Sequence, residues 1–219
     1  MLDGTTIMIE PGEARSRMIE HQLIRRGIHG NSLLAAMREV PREAFVEPGF
    51  EKFAYEDTPL PIGYGQTISQ PYIVALMIDE ARVMPDDTVL EIGAGSGYAA
   101  AVAGRMADHI YGIERIPELA HRTRERLNRL GYFNIEIRTG DGTAGWPEVG
   151  PFDVILVSAG APAIPYQLQE QLDIGGRMII PVGPRDEQRL LKLVRHSATS
   201  FEETDLGGAR FVPLIGADH

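Results

Sequence analysis

The stretch VLEIGAGSGYAAA, residues 89–101, decides the fold, and the rest of the chain is interpreted outward from it. Its apolar first half predicts a buried strand over residues 88–92, and its alanine-rich second half begins a helix over residues 97–106. Gly93, Gly95 and Gly97 lie between them and let the backbone turn sharply and approach a ligand closely. The free N–H groups at the start of the helix can bind polar ligand atoms. Such a turn alone is a weak signal, so the spacing must decide its ligand.

The residues in and around this turn argue against three classes of enzyme and favour a fourth. A dinucleotide fingerprint needs Gly or Ala where this chain has Tyr98, and a phosphate loop needs a lysine that is missing here. A hydrolase nucleophile elbow needs glycines on both sides of the serine, whereas Ser96 has Ala94 and Tyr98 at those positions. The Gly-x-Gly-x-Gly pattern with Glu91 shortly before it resembles instead the first motif of S-adenosylmethionine methyltransferases.

Strands and helices alternate along most of the chain, which predicts an α/β fold: a doubly wound, mostly parallel, Rossmann-like sheet. Continuous apolar strands are typical of parallel sheets that are covered on both faces. The sequence predicts strands over residues 88–92, 109–113, 135–139, 152–157 and 177–181, closing antiparallel strands over 188–195 and 201–204, and helices from Pro71 and over 97–106, 117–130 and 165–171.

The N-terminal part predicts helices without strands. One helix begins at Glu13 and ends at Gly27, a second is capped by Asn31 and runs to Val40, and a short third covers 42–45. A single methyltransferase domain over residues 1–219 is expected, with a loose start over 1–11, a helical subregion over 13–53, an active-site loop over 54–71 that lacks regular structure, and an α/β core over 72–219.

Two acidic residues follow the next two strands at the edge where open α/β sheets bind ligands. Glu114 can accept hydrogen bonds from both hydroxyls of a ribose, and Asp141 in the turn GDG can accept one from an adenine amino group. Glu114 could also form a surface pair with Arg115 or face a helix N-terminus, and Asp141 could simply form the turn. The predicted cofactor-binding residues are Glu91, Gly93, Gly95, Gly97, Glu114, Asp141 and Gly142.

Composition excludes several kinds of function. The chain has no cysteine, which excludes disulfides, thiolate metal sites and the cysteine nucleophile of cytosine C5 methyltransferases. Its net charge of −10 disfavours nucleic-acid binding, and the arginines between 122 and 129 are typical of a solvated helix face. The histidines lack metal-ligand spacing, so no metal is expected. No run is long enough to span a membrane and no signal peptide is recognisable, so we expect a cytoplasmic protein. We also expect a monomer, although no sequence feature determines the oligomeric state.

The loop DTPLPIGYGQTISQP, residues 57–71, is the most specific segment of the chain. It resembles the signature of the protein-L-isoaspartate O-methyltransferases, and the resemblance extends from about residue 17 to 216. Ser158 stands where many members of this family have threonine. Further segments that agree are VLEIGAGSGY (89–98), GIERIPELA (112–120), GDG (140–142), FDVILVSAGAPAIP (152–165), GGRMIIPVG (175–183) and FVPLIG (211–216).

The resemblance implies S-adenosyl-L-methionine as methyl donor, S-adenosyl-L-homocysteine as product, and isoaspartyl-containing proteins and peptides as substrates. It implies that Ser69 is the catalytic residue, that Thr67 and Ile68 lie beside the reacting groups, and that residues 211–213 contact the peptide. The contacting residues are Phe211, Val212 and Pro213. Asp57 could bind the peptide backbone, fix the loop or merely form a turn.

The chemistry of this reaction suits a loop without a histidine–aspartate couple. A side-chain carboxyl of this kind has an ordinary pKa of about 4, so it is ionised at neutral pH and needs no general base. Ser69 would donate a hydrogen bond that orients the carboxylate toward the methyl group. Alternatively, Ser69 caps the helix that begins at Pro71. The methyl ester would then close to a succinimide, which begins the repair.

Three other functions compete with this interpretation. A methyltransferase of metabolites or nucleic acids is disfavoured because the fourth strand ends in Ser158-Ala159-Gly160 rather than in an acid or asparagine before two prolines. A non-catalytic binding module would show a degraded loop over 57–71, which here is intact. A nicotinamide-dependent oxidoreductase conflicts with Tyr98.

Overall fold

A computed structural model of the chain describes residues 10–216, and its centre is a seven-stranded sheet in the order β5-β4-β3-β6-β7-β8-β9. The first four pairings along this order are parallel and the last two are antiparallel. The predicted α/β, mostly parallel sheet is confirmed. The strands are β1 Leu60–Gly63, β2 Gln66–Ile68, β3 Thr88–Ile92, β4 His109–Glu114, β5 Ile135–Thr139, β6 Phe152–Val157, β7 Leu172–Val182, β8 Gln188–Arg195 and β9 Phe201–Ala209.

Helices cover both faces of the sheet, as a doubly wound fold requires. Val89 points into a core shared with α3, α4 and α5, whereas Leu90 and Ile92 point into a second core that includes Leu168 of α6. This alternation follows from the two-residue period of a strand. The α-helices are α1 Pro11–Met18, α2 Asn31–Glu39, α3 Pro71–Ala81, α4 Tyr98–Ala103, α5 Pro117–Arg129 and α6 Tyr166–Glu170.

The strand order reverses between β3 and β6, and this reversal fixes the place of the site. Chain connections leave β3 toward β4 on one side, while β6 pairs with β3 on the other. A crevice opens beyond the carboxyl ends of such a pair of strands. The glycine turn at 93–97 lies at this point, so the segment that decides the fold also forms the crevice.

The helical subregion differs from its prediction in detail. The first helix begins at Pro11 rather than Glu13, and after α1 it continues as a π-helical turn over Ile19–Leu23 and a 3₁₀ turn over Ile24–Arg26. The N-cap of α2 is Gly30, so the prediction that Asn31 caps this helix is wrong; Asn31 is its first helical residue. The loose start predicted for residues 1–11 lies, for residues 1–9, outside the described residues.

The segment predicted as a loop without regular structure contains a small hairpin, which corrects that expectation. β1 and β2 pair antiparallel, with Leu60 opposite Ile68. Leu60, Ile62 and Ile68 are buried, because the hairpin lays one face on the core. The apolar alternation typical of a strand extends over only a few residues here, and the prolines and glycines among them are typical of a loop.

β8 has the predicted bounds, whereas β7 begins earlier than predicted, at Leu172, and β9 extends further, to Ala209. β9 is half-exposed or exposed over its whole length, so its sequence carries little apolar alternation from which to predict its end. Within residues 10–216, no helix has the length and apolar character needed to cross a membrane.

Candidate active site

Three spaces meet at the carboxyl ends of β3 and β6. The inner cavity lies between Ser69, Glu91 and the glycine turn, and the side cavity lies beside Glu114 and Gly142. The third is an open groove of about 1000 Å³ that extends from Ser69 to Phe211. Thr67 and Ser158 line all three spaces, and Ser69 lines the inner cavity and the groove. Two small ligands, or parts of them, could therefore meet at these hydroxyl groups.

The glycine turn is pressed between the hairpin and α5. Gly97 has φ +85°, and a Cβ there would lie 2.8 Å from Thr123 Cγ2 of α5. A Cβ at Gly95 would lie 3.2 Å from Ile62 Cδ1 of the hairpin. The turn therefore requires glycine both for its left-handed backbone and for the close approach of its neighbours. Of the three predicted glycines, Gly93 and Gly95 line the inner and side cavities, whereas Gly97 packs against α5.

Glu91 is a fully buried carboxyl group on the inner cavity. Its Oε1 accepts a hydrogen bond from Ser158 Oγ at 3.2 Å, while Oε2 has no hydrogen-bond partner within residues 10–216. Burial raises the pKa of Glu91 to about 8, although the hydrogen bond from Ser158 acts in the opposite direction. At neutral pH the group is mostly uncharged, with one oxygen free toward a ligand.

Glu114 holds the glycine turn in place. Its Oε2 accepts a hydrogen bond from Gly95 N at 3.0 Å, and its Oε1 accepts one from Ile116 N at 2.9 Å. The side chain is buried and lines the side cavity, so the surface pair with Arg115 that the sequence left open is not formed. A carboxylate oxygen can accept a second hydrogen bond, so both oxygens can still receive ligand hydroxyls.

Asp141 begins the short 3₁₀ helix Gly142–Ala144. Its Oδ1 accepts hydrogen bonds from Thr143 N and Thr143 Oγ1, both at 2.8 Å. This is the turn-forming arrangement that the sequence left open as an alternative to ligand binding. Gly142 lines the side cavity beside Glu114. The adenine contact expected of Asp141 stays a prediction.

Ser69 lies between the hairpin and α3. The N-cap of α3 is Gln70, and no side chain caps this helix, so the capping role considered for Ser69 is not observed. The carbonyl of Ser69 accepts a hydrogen bond from Arg42 Nη2 at 2.8 Å, and the residue lines the inner cavity and the groove. Thr67 is exposed to the same spaces, while Ile68 is buried with its side chain on the inner cavity.

The segment 211–214 is fastened to the end of β6. Gly160 N donates to Val212 O and Leu214 N donates to Gly160 O, both at 2.8 Å. Phe211 N donates to Gln188 Oε1 at 2.7 Å. Phe211 and Val212 line the groove, whereas Pro213 lines the side cavity. Pro213 therefore borders the side cavity and not the groove.

Asp57 is held in an ion pair. Its Oδ2 lies 3.0 Å from Arg26 Nη1, and its carbonyl accepts a hydrogen bond from Gln70 Nε2 at 3.1 Å. Both contacts tie the start of the hairpin segment to its surroundings. Of the roles considered from the sequence, this arrangement favours fixing the loop.

Comparisons with known proteins agree with this geometry. A sequence profile of the family described as protein-L-isoaspartate(D-aspartate) O-methyltransferase matches residues 13–219. The chain is 54% identical over 205 residues to protein-L-isoaspartate O-methyltransferase 2 of Pelobacter propionicus, covering 93% of this chain and 91% of that protein. A Brucella anthropi protein-L-isoaspartate O-methyltransferase is also 54% identical, over 93% of this chain and 94% of its own length. The chain belongs to the protein-L-isoaspartate O-methyltransferase family.

Solved structures of this family have the same fold. One protein-L-isoaspartate O-methyltransferase superposes with a TM-score of 0.84 at 28% identity, over 92% of this chain and 66% of that one. A second, from Plasmodium falciparum, was solved in complex with S-adenosyl-L-homocysteine. It superposes with a TM-score of 0.80 at 26% identity, over 92% of this chain and 98% of that one.

Several residues around this methyltransferase site were not found from the sequence. Ser158 was noted only as a departure from the family, yet it lines all three spaces. Arg126 was interpreted as part of a solvated helix face, but it is 8% exposed, which corrects that interpretation. Arg42 is fully buried. The apolar neighbours of Arg42 and Arg126 in the fold are distant in sequence, so no local pattern could reveal their burial.

Proposed function

We propose that this chain transfers the methyl group of S-adenosyl-L-methionine to the carboxylate of L-isoaspartyl residues in damaged proteins and peptides. The observation that carries the proposal is the position of Ser69, whose side chain borders both the inner cavity and the groove. A donor at the glycine turn and a peptide in the groove would meet there. Membership of the family supports this choice of donor and acceptor.

The residues at the glycine turn fit the donor. The turn leaves room that a Cβ would fill, and Glu91 Oε2 is a buried polar atom that has no hydrogen-bond partner among residues 10–216. Glu114 would accept hydrogen bonds from the ribose hydroxyls, and Asp141 with Gly142 would adjoin the adenine. When bound, the donor supplies an electrophilic methyl group on a sulfonium, and the remaining product is S-adenosyl-L-homocysteine.

The protein's contribution to the reaction is alignment without proton transfer. The acceptor carboxylate is ionised at neutral pH, since its ordinary pKa is about 4. Ser69 Oγ donates a hydrogen bond that orients the carboxylate, and a neutral donor leaves it more nucleophilic than a lysine or arginine would. Thr67 and Ser158 flank this position, and the uncharged form of Glu91 avoids a like charge near the acceptor.

The groove would hold the substrate peptide in an extended conformation. Phe211 and Val212 line it, and main-chain hydrogen bonds would contribute to holding the peptide. The methyl ester that leaves the groove would close to a succinimide without further help from the protein, which begins repair. We expect the protein to act as a monomer in the cytoplasm.

The test uses methyl-labelled S-adenosyl-L-methionine and two peptides that differ only in an isoaspartyl or a normal aspartyl linkage. Base-labile label is expected on the isoaspartyl peptide alone. Ser69→Ala should lower kcat/KM for this peptide by about 10- to 100-fold, because the carboxylate loses its orienting donor. Ser200→Ala, at an exposed position in the β8–β9 turn, is the control and should match the wild type. Equal label on both peptides, or a fully active Ser69→Ala variant, would contradict the proposal.

A further inference from the structure

Arg42 is a buried cation that joins the two ends of the hairpin segment. Its side chain is 0% exposed, and it forms no salt bridge with any residue between 10 and 216. Nε donates to the carbonyl of Ala54 at 2.7 Å, and Nη2 donates to the carbonyl of Ser69 at 2.8 Å. These two carbonyls stand before and after the hairpin that carries Thr67 and Ile68. The guanidinium thus fixes the distance between the ends of the segment.

A second buried arginine holds the glycine turn in the same manner. Arg126 Nη1 donates to the carbonyl of Ser96 at 2.9 Å, and the side chain is 8% exposed. Thr123 Oγ1, one helical turn away on α5, donates to the carbonyl of Gly95 at 2.5 Å. The donors on α5 therefore fix the cofactor side of the site, as Arg42 fixes the Ser69 side.

The two arginines lie on opposite ends of one aromatic pair. The guanidinium of Arg42 lies 4.8 Å from the centroid of the Tyr98 ring, and that of Arg126 lies 5.9 Å from the centroid of Phe45. The Phe45 and Tyr98 rings meet edge to face at 5.5 Å. Neither arginine forms a salt bridge within residues 10–216, and the ring faces partly compensate the two buried charges. The matched surroundings make Arg126 a fitting control for Arg42.

Burying a guanidinium without a counter-ion is unfavourable, and an apolar side chain in its place would avoid the cost of desolvation. Burial lowers the pKa of Arg42, and the neighbouring Tyr98 opposes this shift. Arg42 Nη1 moreover has no hydrogen-bond partner within the described part of the chain. Packing alone does not account for such a residue. Its two charge-assisted hydrogen bonds to main-chain carbonyls are its specific contribution.

We propose that Arg42 is a positioning residue that sets the place of Ser69 relative to the acceptor, while Arg126 sets the glycine turn for the donor. The inference rests on the proposed function of Ser69. Arg42 acts only through the backbone of Ser69 and touches no reacting atom. Loss of Arg42 should therefore impair the peptide's reaction, and loss of Arg126 should impair donor binding.

The test compares Arg42→Met with Arg126→Met, and adds Arg42→Lys, which keeps the charge but cannot bridge both carbonyls. At saturating donor, kcat/KM for the isoaspartyl peptide should fall about 10- to 100-fold in Arg42→Met, because a displacement of about 1 Å has this effect. The dissociation constant of the donor, from titration calorimetry, should stay within about threefold. Arg126→Met should show the reverse: about tenfold weaker donor binding and a nearly unchanged peptide KM at saturation.

If the two arginines only stabilised the fold, both variants would show a lower Tm, and donor binding and peptide turnover would fall by similar factors in each. That result would overturn the proposal. If Arg42→Met does not fold, Arg42→Lys decides: a smaller peptide-specific loss at near-native Tm supports the inference, and wild-type kinetics refute it. Ser69→Ala is assayed in parallel. A fully active Ser69→Ala variant would refute the proposed role of Ser69. Amide exchange over residues 54–70 that is unchanged in Arg42→Lys would refute the positioning role of Arg42.

Discussion

Among single residues, Glu91 couples the site to pH through its burial. Its pKa in the folded protein is about 8, against an ordinary value of 4.5. Below pH 4.5 the carboxyl is protonated in both states and its contribution to stability is complete. Between these values only the unfolded state loses the proton, so the free energy of unfolding falls as the pH rises toward 8.

Glu91→Gln should remove this pH dependence while keeping the shape of the side chain. The free energy of unfolding of the variant, relative to the wild type, should rise between pH 5 and 8 by up to about 1.4 kcal/mol per pH unit. Urea denaturation of both proteins without donor measures the difference. A constant difference across this range would show that Glu91 is ionised in the folded protein.

The glycine turn offers a second residue-scale prediction with a matched control. Gly97 and Gly131 both have left-handed backbones, with φ +85° and +79°, but only at Gly97 would a Cβ meet a neighbour, Thr123 Cγ2 at 2.8 Å. Each alanine should cost about 1 kcal/mol for the backbone. Gly97→Ala should in addition weaken donor binding about tenfold by displacing the turn. Calorimetric titration of both variants checks this, and equal donor affinity would refute the role of the close approach.

The site residues that the sequence could predict are polar residues that stand at or near the end of a predicted strand. Glu91 and Glu114 lie at strand ends, and the structure brings both to the cavities. The sequence could not foresee that Glu114 accepts a hydrogen bond from Gly95 N or that Asp57 pairs with Arg26, because the partners lie 19 and 31 residues apart in the chain. It also could not foresee Arg42, whose partners lie 12 and 27 residues away.

At the scale of elements, the bounds of a strand are predictable where its sequence has a continuous apolar run or a clear two-residue alternation. β3 and β6 are almost wholly buried, so their continuous apolar sequences fixed their bounds. β9 is exposed and the hairpin strands β1 and β2 have four and three residues, too few to establish a period of two. The hairpin nevertheless carries Thr67 and Ile68, so the element hardest to predict lies closest to the proposed chemistry.

For the whole molecule, the edges of the sheet bear on the oligomeric state. β5 and β9 are its outer strands, and unpaired edges can associate with other chains. β9 carries the exposed residues Glu202, Glu203 and Asp205, and the net charge of the chain is −10. Charges of this kind prevent edge-to-edge pairing, so we expect a monomer.

Light scattering after size exclusion should therefore give a mass near 24.1 kDa over a wide range of protein concentration. Replacing Glu202 and Glu203 by threonine should raise the apparent mass at high concentration, because β-prone neutral residues then occupy a free edge. Lys52→Thr, which also removes a charge but lies away from the sheet edges, is the control and should leave the mass unchanged. A wild-type mass of twice the chain would refute the monomer. If replacing the two β9 glutamates had no effect on the mass, their charge would not be what prevents association at this edge.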